Sequence, residues 1–148
     1  QDKGIIHTHN NNITNQLATA VKESRFLIRE PGVRNELLLE QHAESPDPTV
    51  LISPSMSHGV DLKDDLARFQ IIVKAPFLPI RDTRIEKLMK NNYDWYVNKM
   101  LCALIQSCGR GVRSKKDHCI TYILDGAIVE SVINNKHKLP KYFLDRFS

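Results

Sequence analysis

Thr49-Val50-Leu51-Ile52-Ser53 is a short apolar run between the loop Ser45-Pro46-Asp47-Pro48 and Pro54. A brief β-branched run bounded by turn residues reads as a strand. Four other runs read the same way: Gly4-Ile5-Ile6-His7-Thr8, Phe26-Leu27-Ile28, Phe69-Gln70-Ile71-Ile72-Val73 and Ile120-Thr121-Tyr122-Ile123-Leu124. They are apolar throughout rather than alternating, which suits a parallel sheet covered on both faces. Helical patterns separate them. Ile13, Leu17, Ala20 and Val21 form a stripe behind the polar run His9 to Asn12. Val33 to Ala43 carries Leu37, Leu38 and Leu39, Thr83 to Lys90 is helical, and Tyr93 to Cys108 is longer. A short helix around Ile128 to Ile133 and a tail through Leu139-Pro140 complete the chain. Strand–helix alternation predicts an open, mainly parallel α/β sheet with right-handed crossovers and helices on both faces. Ligands in such sheets bind at the carboxyl ends of the strands, so the loops after strands one, three and five are the first places to look.

A chain of 148 residues fits one domain, 1–148, with an ordinary apolar share for its core. The formal net charge of +4 hints at phosphate-bearing partners without establishing them. Lys115 and Lys116 read equally as a solvated turn or a nucleic-acid contact. The three cysteines, Cys102, Cys108 and Cys119, form no C-x-x-C pair and argue against a disulfide framework or a zinc site. Cys102 lies in an apolar helical run and is expected to be buried. The compartment reads as reducing and intracellular (cytoplasm or nucleoid, or a nucleus). No signal-like stretch is visible, and no apolar run is long enough to span a bilayer. The start at Gln1, with strand-like sequence almost at once, looks like a piece of something longer.

Three segments carry candidate chemistry. The first, His7-Thr8-His9-Asn10-Asn11-Asn12, follows a strand and opens a helix. It offers a phosphate site at the helix N-terminus, or simply an N-cap. The second is Ser53-Pro-Ser-Met-Ser-His-Gly-Val-Asp61-Leu62. Gly59 permits close backbone approach, Asp61 is a carboxylate acceptor or a cap, and Ser55 and Ser57 offer hydroxyls to phosphate. The third is Gln106-Ser-Cys-Gly-Arg-Gly-Val-Arg113, or Q-x-x-G-R-x-x-R. Gly109 is expected to permit a tight turn there. Two guanidinium groups three residues apart can grip a phosphate from outside, or form surface salt bridges. Gln106 could hydrogen-bond a nucleotide or a neighbouring backbone group. Asp117 could orient one of the arginines or cap the turn before the fifth strand. No G-x-x-x-x-G-K-[ST] loop occurs, so the chain alone should not hold a nucleoside triphosphate.

In this order, S-H-G-V-D-L (57–62), a proline-bearing strand and Q-S-C-G-R-G-V-R-S-K-K-D (106–117) resemble the second RecA-like domain of superfamily-two DNA helicases of the XPD/DinG family. Gly59-Val60-Asp61 resembles the fifth helicase motif and Gln106 to Arg113 the sixth. Lys74-Ala75-Pro76-Phe77 resembles a K-L-P-F segment, Arg84 to Lys90 the helix after it, and Leu139-Pro140 a terminal segment. His58 departs from the usual glutamate before that glycine. The resemblance implies ATP hydrolysis coupled to 5′-to-3′ movement on single-stranded DNA. ATP and Mg2+ would be held mainly by a first RecA-like domain, which in full members can also carry an iron–sulfur cluster. Arg110 and Arg113 would reach the γ-phosphate across the cleft, near the strand-end edge. Gln106 would sense nucleotide, and Gly59 and Asp61 would couple nucleotide state to DNA grip. Thr8, Asn10, Ser55 and Ser57 would contact DNA phosphates. The rival expectation is a domain of the same fold that binds nucleic acid or protein without catalysis.

Overall fold

The computed structural model describes residues 2–28, 34–54, 62, 64–109 and 117–147. Five strands, β1 (Gly4–His7), β2 (Phe26–Ile28), β3 (Val50–Ser53), β4 (Phe69–Ile72) and β5 (Ile120–Ile123), form one sheet in the order β2-β3-β1-β4-β5. Every pairing is parallel. Among the described residues, six α-helices accompany them: α1 (Asn11–Ala20), α2 (Asn35–Glu44), α3 (Thr83–Asn91), α4 (Tyr93–Cys108), α5 (Gly126–Asn134) and α6 (Lys141–Leu144).

Register and alternation assign the two faces. Ile5 pairs with Leu51 and Gln70, and Leu51 with Leu27, so these side chains share one face. Leu38 of α2 packs on that face together with Ile5 and Leu51. Further along it, Ile72 and Ile123 meet Val97, Met100, Leu101 and Leu104 of α4, and Ile128 and Val132 of α5. The opposite face carries Ile6, Val50 and Ile52, covered by Leu17 of α1. Gly4 is glycine for a steric reason: a Cβ there would run into the Phe69 ring on the neighbouring strand.

Four expectations need correction. Cys102 is exposed, not buried. The buried stripe of α4 is Tyr96, Val97, Met100, Leu101, Leu104 and Ser107, and Cys102 falls about 100° beyond Leu101, outside it. Of the three adjacent leucines in α2 only Leu38 is buried; Leu39 is partly buried against the same cluster, and Leu37 is exposed. Val21 follows the end of α1 and is exposed. Strand β5 is not covered on both faces: Ile120 and Tyr122 are about half exposed, because Leu17 of α1 packs on the other side of the sheet's centre.

Candidate functional site

The strand order puts a topological switch at β1. The connection after β1 leads to β2 on one side, while the chain leaving β3 crosses to β4 on the other. The crevice outside the carboxyl ends of β1, β3 and β4 is where such sheets accept ligands. His7, Thr8, His9, Ser53, Val73 and Lys74 converge there: Thr8 N–H donates to Ser53 O at 3.1 Å, and Val73 N–H to His7 O at 3.0 Å. Thr8 is fully buried, and its hydroxyl is 2.6 Å from that of Thr14. That pair pins the end of β1 to α1 and turns the Thr8 hydroxyl into the fold. Asn10 is the N-cap of α1, its Oδ1 accepting from Ile13 N–H at 2.9 Å. His9 adopts φ of 69° between them. Burial, and then the charge of Lys74, push its imidazole pKa below the ordinary value of 6.5. Asp125, after β5, closes this edge: its carboxylate accepts from Ala75 N–H at 2.9 Å and from Ala127 N–H at 3.0 Å.

The other edge, at the amino ends of the strands, is stitched by cations. The Lys3 ammonium donates to the carbonyls of His42, Ala43 and Ser45 at the end of α2. Arg25 donates to Pro48 O at 2.6 Å and Asp2 O at 2.7 Å. Arg68, the residue before β4, pairs with both Asp65 and Asp117 at 2.7 Å and donates to His118 O at 3.1 Å. Its guanidinium pKa is raised above the ordinary range, first by the Asp65 hydrogen bond. Much of the basic residue count at this edge is therefore spent on backbone and acidic groups within the chain.

The sequence-predicted sites divide accordingly. Arg110, Arg113, Gly59, Asp61, Ser55, Ser57 and His58 lie outside the described residues. The chain ends flanking them are described. Ser53, ahead of residues 55–61, lies at the carboxyl end of β3. Leu62 is buried with Ile5, Leu38, Leu51 and Ala67, and a 3-10 turn at Asp64–Leu66 follows. Gln106 is exposed in the last turn of α4. Cys108 O, at the end of α4, accepts from the Gln70 amide at 3.2 Å, and Asp117 is held by Arg68. Both flanks of the arginine segment thus sit toward the amino ends of β4 and β5, away from the carboxyl edge expected to hold it. Gly109 departs from expectation too. Its φ of −77° suits any residue, and a Cβ there would meet nothing within 4 Å. Asp117 pairs with Arg68, which lies outside the motif.

Two residues outside the predicted motifs bind these flanks. Gln70 is 1% exposed, with its amide also donating to Thr121 Oγ1 at 2.7 Å and its Oε1 3.3 Å from His7 Nε2. Arg68 links the turn after residues 55–61 to the exit of residues 110–116. The signal was present in Ala67-Arg68-Phe69-Gln70: a glutamine inside an otherwise apolar strand has to find partners when buried. Among the described residues, no group of three or more His, Cys, Asp or Glu is placed to hold a metal ion. No described helix is long and apolar enough to cross a membrane.

A parallel α/β sheet of this order, with polar loops at its switch point, defines an open, doubly wound α/β domain. Residues 5–144 match the family model described as "Helicase C-terminal domain", and the chain belongs to that family. It is similar to the ATP-dependent DNA helicase CHL1 of Debaryomyces hansenii, 27% identical over 58% of this chain and 13% of that protein. The Candida albicans protein of the same name is 25% identical over 90% of this chain and 19% of its own length. This chain thus spans less than a fifth of the curated relatives it matches. The solved structure XPD_APO superposes with a TM-score of 0.70 at 18% identity, covering 92% of this chain and 31% of that one. S. tokodaii Xpd4 gives 0.59 at 15% identity, covering 95% and 30%. These two likenesses establish the fold, and with the family match they bear out the resemblance to XPD/DinG-like superfamily-two helicases.

Proposed function

We propose that this chain is the second motor domain of an ATP-dependent DNA helicase. It supplies Arg110 and Arg113 to a nucleotide bound by a first RecA-like domain and grips single-stranded DNA, moving 5′ to 3′. What carries the reading is the joining of its two motif segments: Arg68 bridges Asp65, just beyond Gly59-Val60-Asp61, to Asp117, just beyond Arg110–Arg113. A nucleotide-dependent change in one segment therefore has a short covalent and ionic route to the other.

The chemistry needs little else from this chain. Phosphoryl transfer is promoted by positioning and by charge placed on the developing anion, and an arginine delivered across a cleft is worth about 10³–10⁵ in rate. Mg2+ would supply charge neutralisation at the phosphates; none of the described residues is assigned to it, and the first domain would hold it. Any iron–sulfur cluster would likewise belong to the parent protein. Gln106 would sense the nucleotide beside the arginines, and Gly59 and Asp61 would transmit its state. Asn10, Ser55 and Ser57 would meet DNA phosphates at the carboxyl edge, with Thr8 supporting that edge from within through Thr14. Such contacts imply intracellular work at DNA, with little sequence preference.

The test is DNA-stimulated ATP turnover by the full-length protein carrying Arg113→Ala. Turnover should fall at least about 10³-fold with the thermal midpoint unchanged. Unchanged turnover would overturn the finger role and leave a binding domain without catalysis as the surviving reading.

A further inference from the structure

Two side chains at the amino end of β4 hold the chain on either side of the arginine segment. Arg68 lies immediately before β4, and Gln70 is the second residue of that strand. Gln70 holds the entry: its amide donates to Cys108 O and to Thr121 Oγ1 on β5. Arg68 holds the exit through Asp117, whose side chain is fully shielded from solvent, while the Arg68 side chain is 18% exposed. The Asp117 carboxylate also accepts from His118 N–H at 2.9 Å, which fixes the chain direction as it turns into β5. Backbone bonds complete the frame: Arg68 N–H donates to Lys3 O, and Ile120 N–H to Arg68 O. The chain on either side of residues 110–116 is thereby tied to the amino end of β4.

We infer that Arg68 and Gln70 are positioning residues, which set where Arg110 and Arg113 arrive by clamping the two ends of the segment that carries them. This rests on the finger role proposed above. A planar guanidinium bonded to two carboxylates and a carbonyl fixes direction as well as distance, which a lysine cannot do. Displacing a catalytic group by about 1 Å can cost about 10² in rate, so a residue acting only through the segment should still be visible in turnover.

The experiment uses the full-length protein with Arg68→Gln, Arg113→Ala and the double variant. kcat and KM for ATP are measured at saturating single-stranded DNA and normalised to the folded fraction from thermal unfolding. Arg68→Gln should lower kcat about 10- to 100-fold and leave KM for ATP within about twofold, since the nucleotide is held elsewhere. The double variant should be slower than Arg113→Ala alone by less than the factor Arg68→Gln costs in the otherwise unaltered protein, because Arg68 acts only through the arginines, of which Arg110 remains. Arg68→Lys, which keeps one contact to Asp117, should restore part of kcat. Asp117→Asn preserves shape and should lower kcat in the same sense if Arg68→Gln folds poorly. Full kcat per folded molecule in both Arg68→Gln and Asp117→Asn would overturn the inference, as would independent losses that multiply in the double variant. If Arg113→Ala itself turned over normally, the finger reading would fall first, so the two failures are distinct.

Discussion

His42 should make the stability of this chain pH-dependent in one direction. It is fully buried near the end of α2, with Nε2 2.8 Å from Leu66 O and Nδ1 2.7 Å from Thr49 Oγ1. A carbonyl only accepts, so Nε2 carries the proton and Nδ1 accepts from the Thr49 hydroxyl. The neutral ring is therefore satisfied on both sides, whereas a second proton on Nδ1 would displace that arrangement and bury a charge. Burial, followed by the charge of Lys3, lowers its pKa below 6.5 despite the opposing Leu66 bond. The unfolded chain takes up the proton near 6.5, while the folded chain resists until lower pH. Between those values the unfolded state binds more protons, so His42's contribution is full above 6.5 and is lost as pH falls through the folded value. One proton sets a maximum slope of about 1.4 kcal/mol per pH unit. His42→Leu strands the Thr49 hydroxyl and the Leu66 carbonyl, at about 1–3 kcal/mol each, so a loss of about 3 kcal/mol is expected at neutral pH. For a chain of this size that is about 6–12 °C in Tm. Urea unfolding of both proteins at pH 7.5, 6.5 and 5.5 supplies the check. His9 shifts in the same direction, so the difference between the two proteins is the informative quantity. That difference should narrow below pH 6.5; a constant difference across the range would refute the buried neutral imidazole.

Two smaller expectations follow from single contacts. Asp125→Ala removes the cap of α5 and leaves the buried Ala75 N–H unpaired, so it should cost about 2–4 kcal/mol in urea unfolding; a cost below about 0.5 kcal/mol would contradict that geometry. Burial pushes the thiols of Cys108 and Cys119 up to about 11, while Cys102 is exposed. Brief alkylation at pH 7.5 should therefore modify Cys102 first, as read by peptide mass, and fast labelling of Cys108 would count against the packing of α4.

Much of the fold was legible because its strands are written as unbroken apolar runs. Phe26–Ile28 and Tyr93–Cys108 match their expected bounds, and other element ends differ by a residue or two, where fraying and caps decide them. The strand order was not legible. Nothing in the run Val50–Ser53 states that it lies between β1 and β2, since pairing depends on crossovers that composition does not encode. The site was legible as motifs but not as geometry. Q-x-x-G-R-x-x-R names two arginines without revealing that its flanks hang from β4. Thr8 looked like a phosphate ligand because a polar residue after a strand suits both a ligand site and a buried hydroxyl pair, and only the 2.6 Å approach of Thr14 separates them. Arg68 and Gln70 escaped because their partners lie 49 and 38 residues away at Asp117 and Cys108.

The central place of β1 bears on how the polypeptide assembles. Gly4, in the earliest of these five strands along the chain, takes its two neighbours from Val50 and Phe69, which emerge 46 and 65 residues later (50 minus 4 and 69 minus 4). At about 5–20 residues per second, a ribosome leaves that strand without its second partner for roughly 3–13 s. Closing such distant loops before any reward makes for slow folding, and the nascent Ile5-Ile6 stretch stays open to wrong partners while it waits.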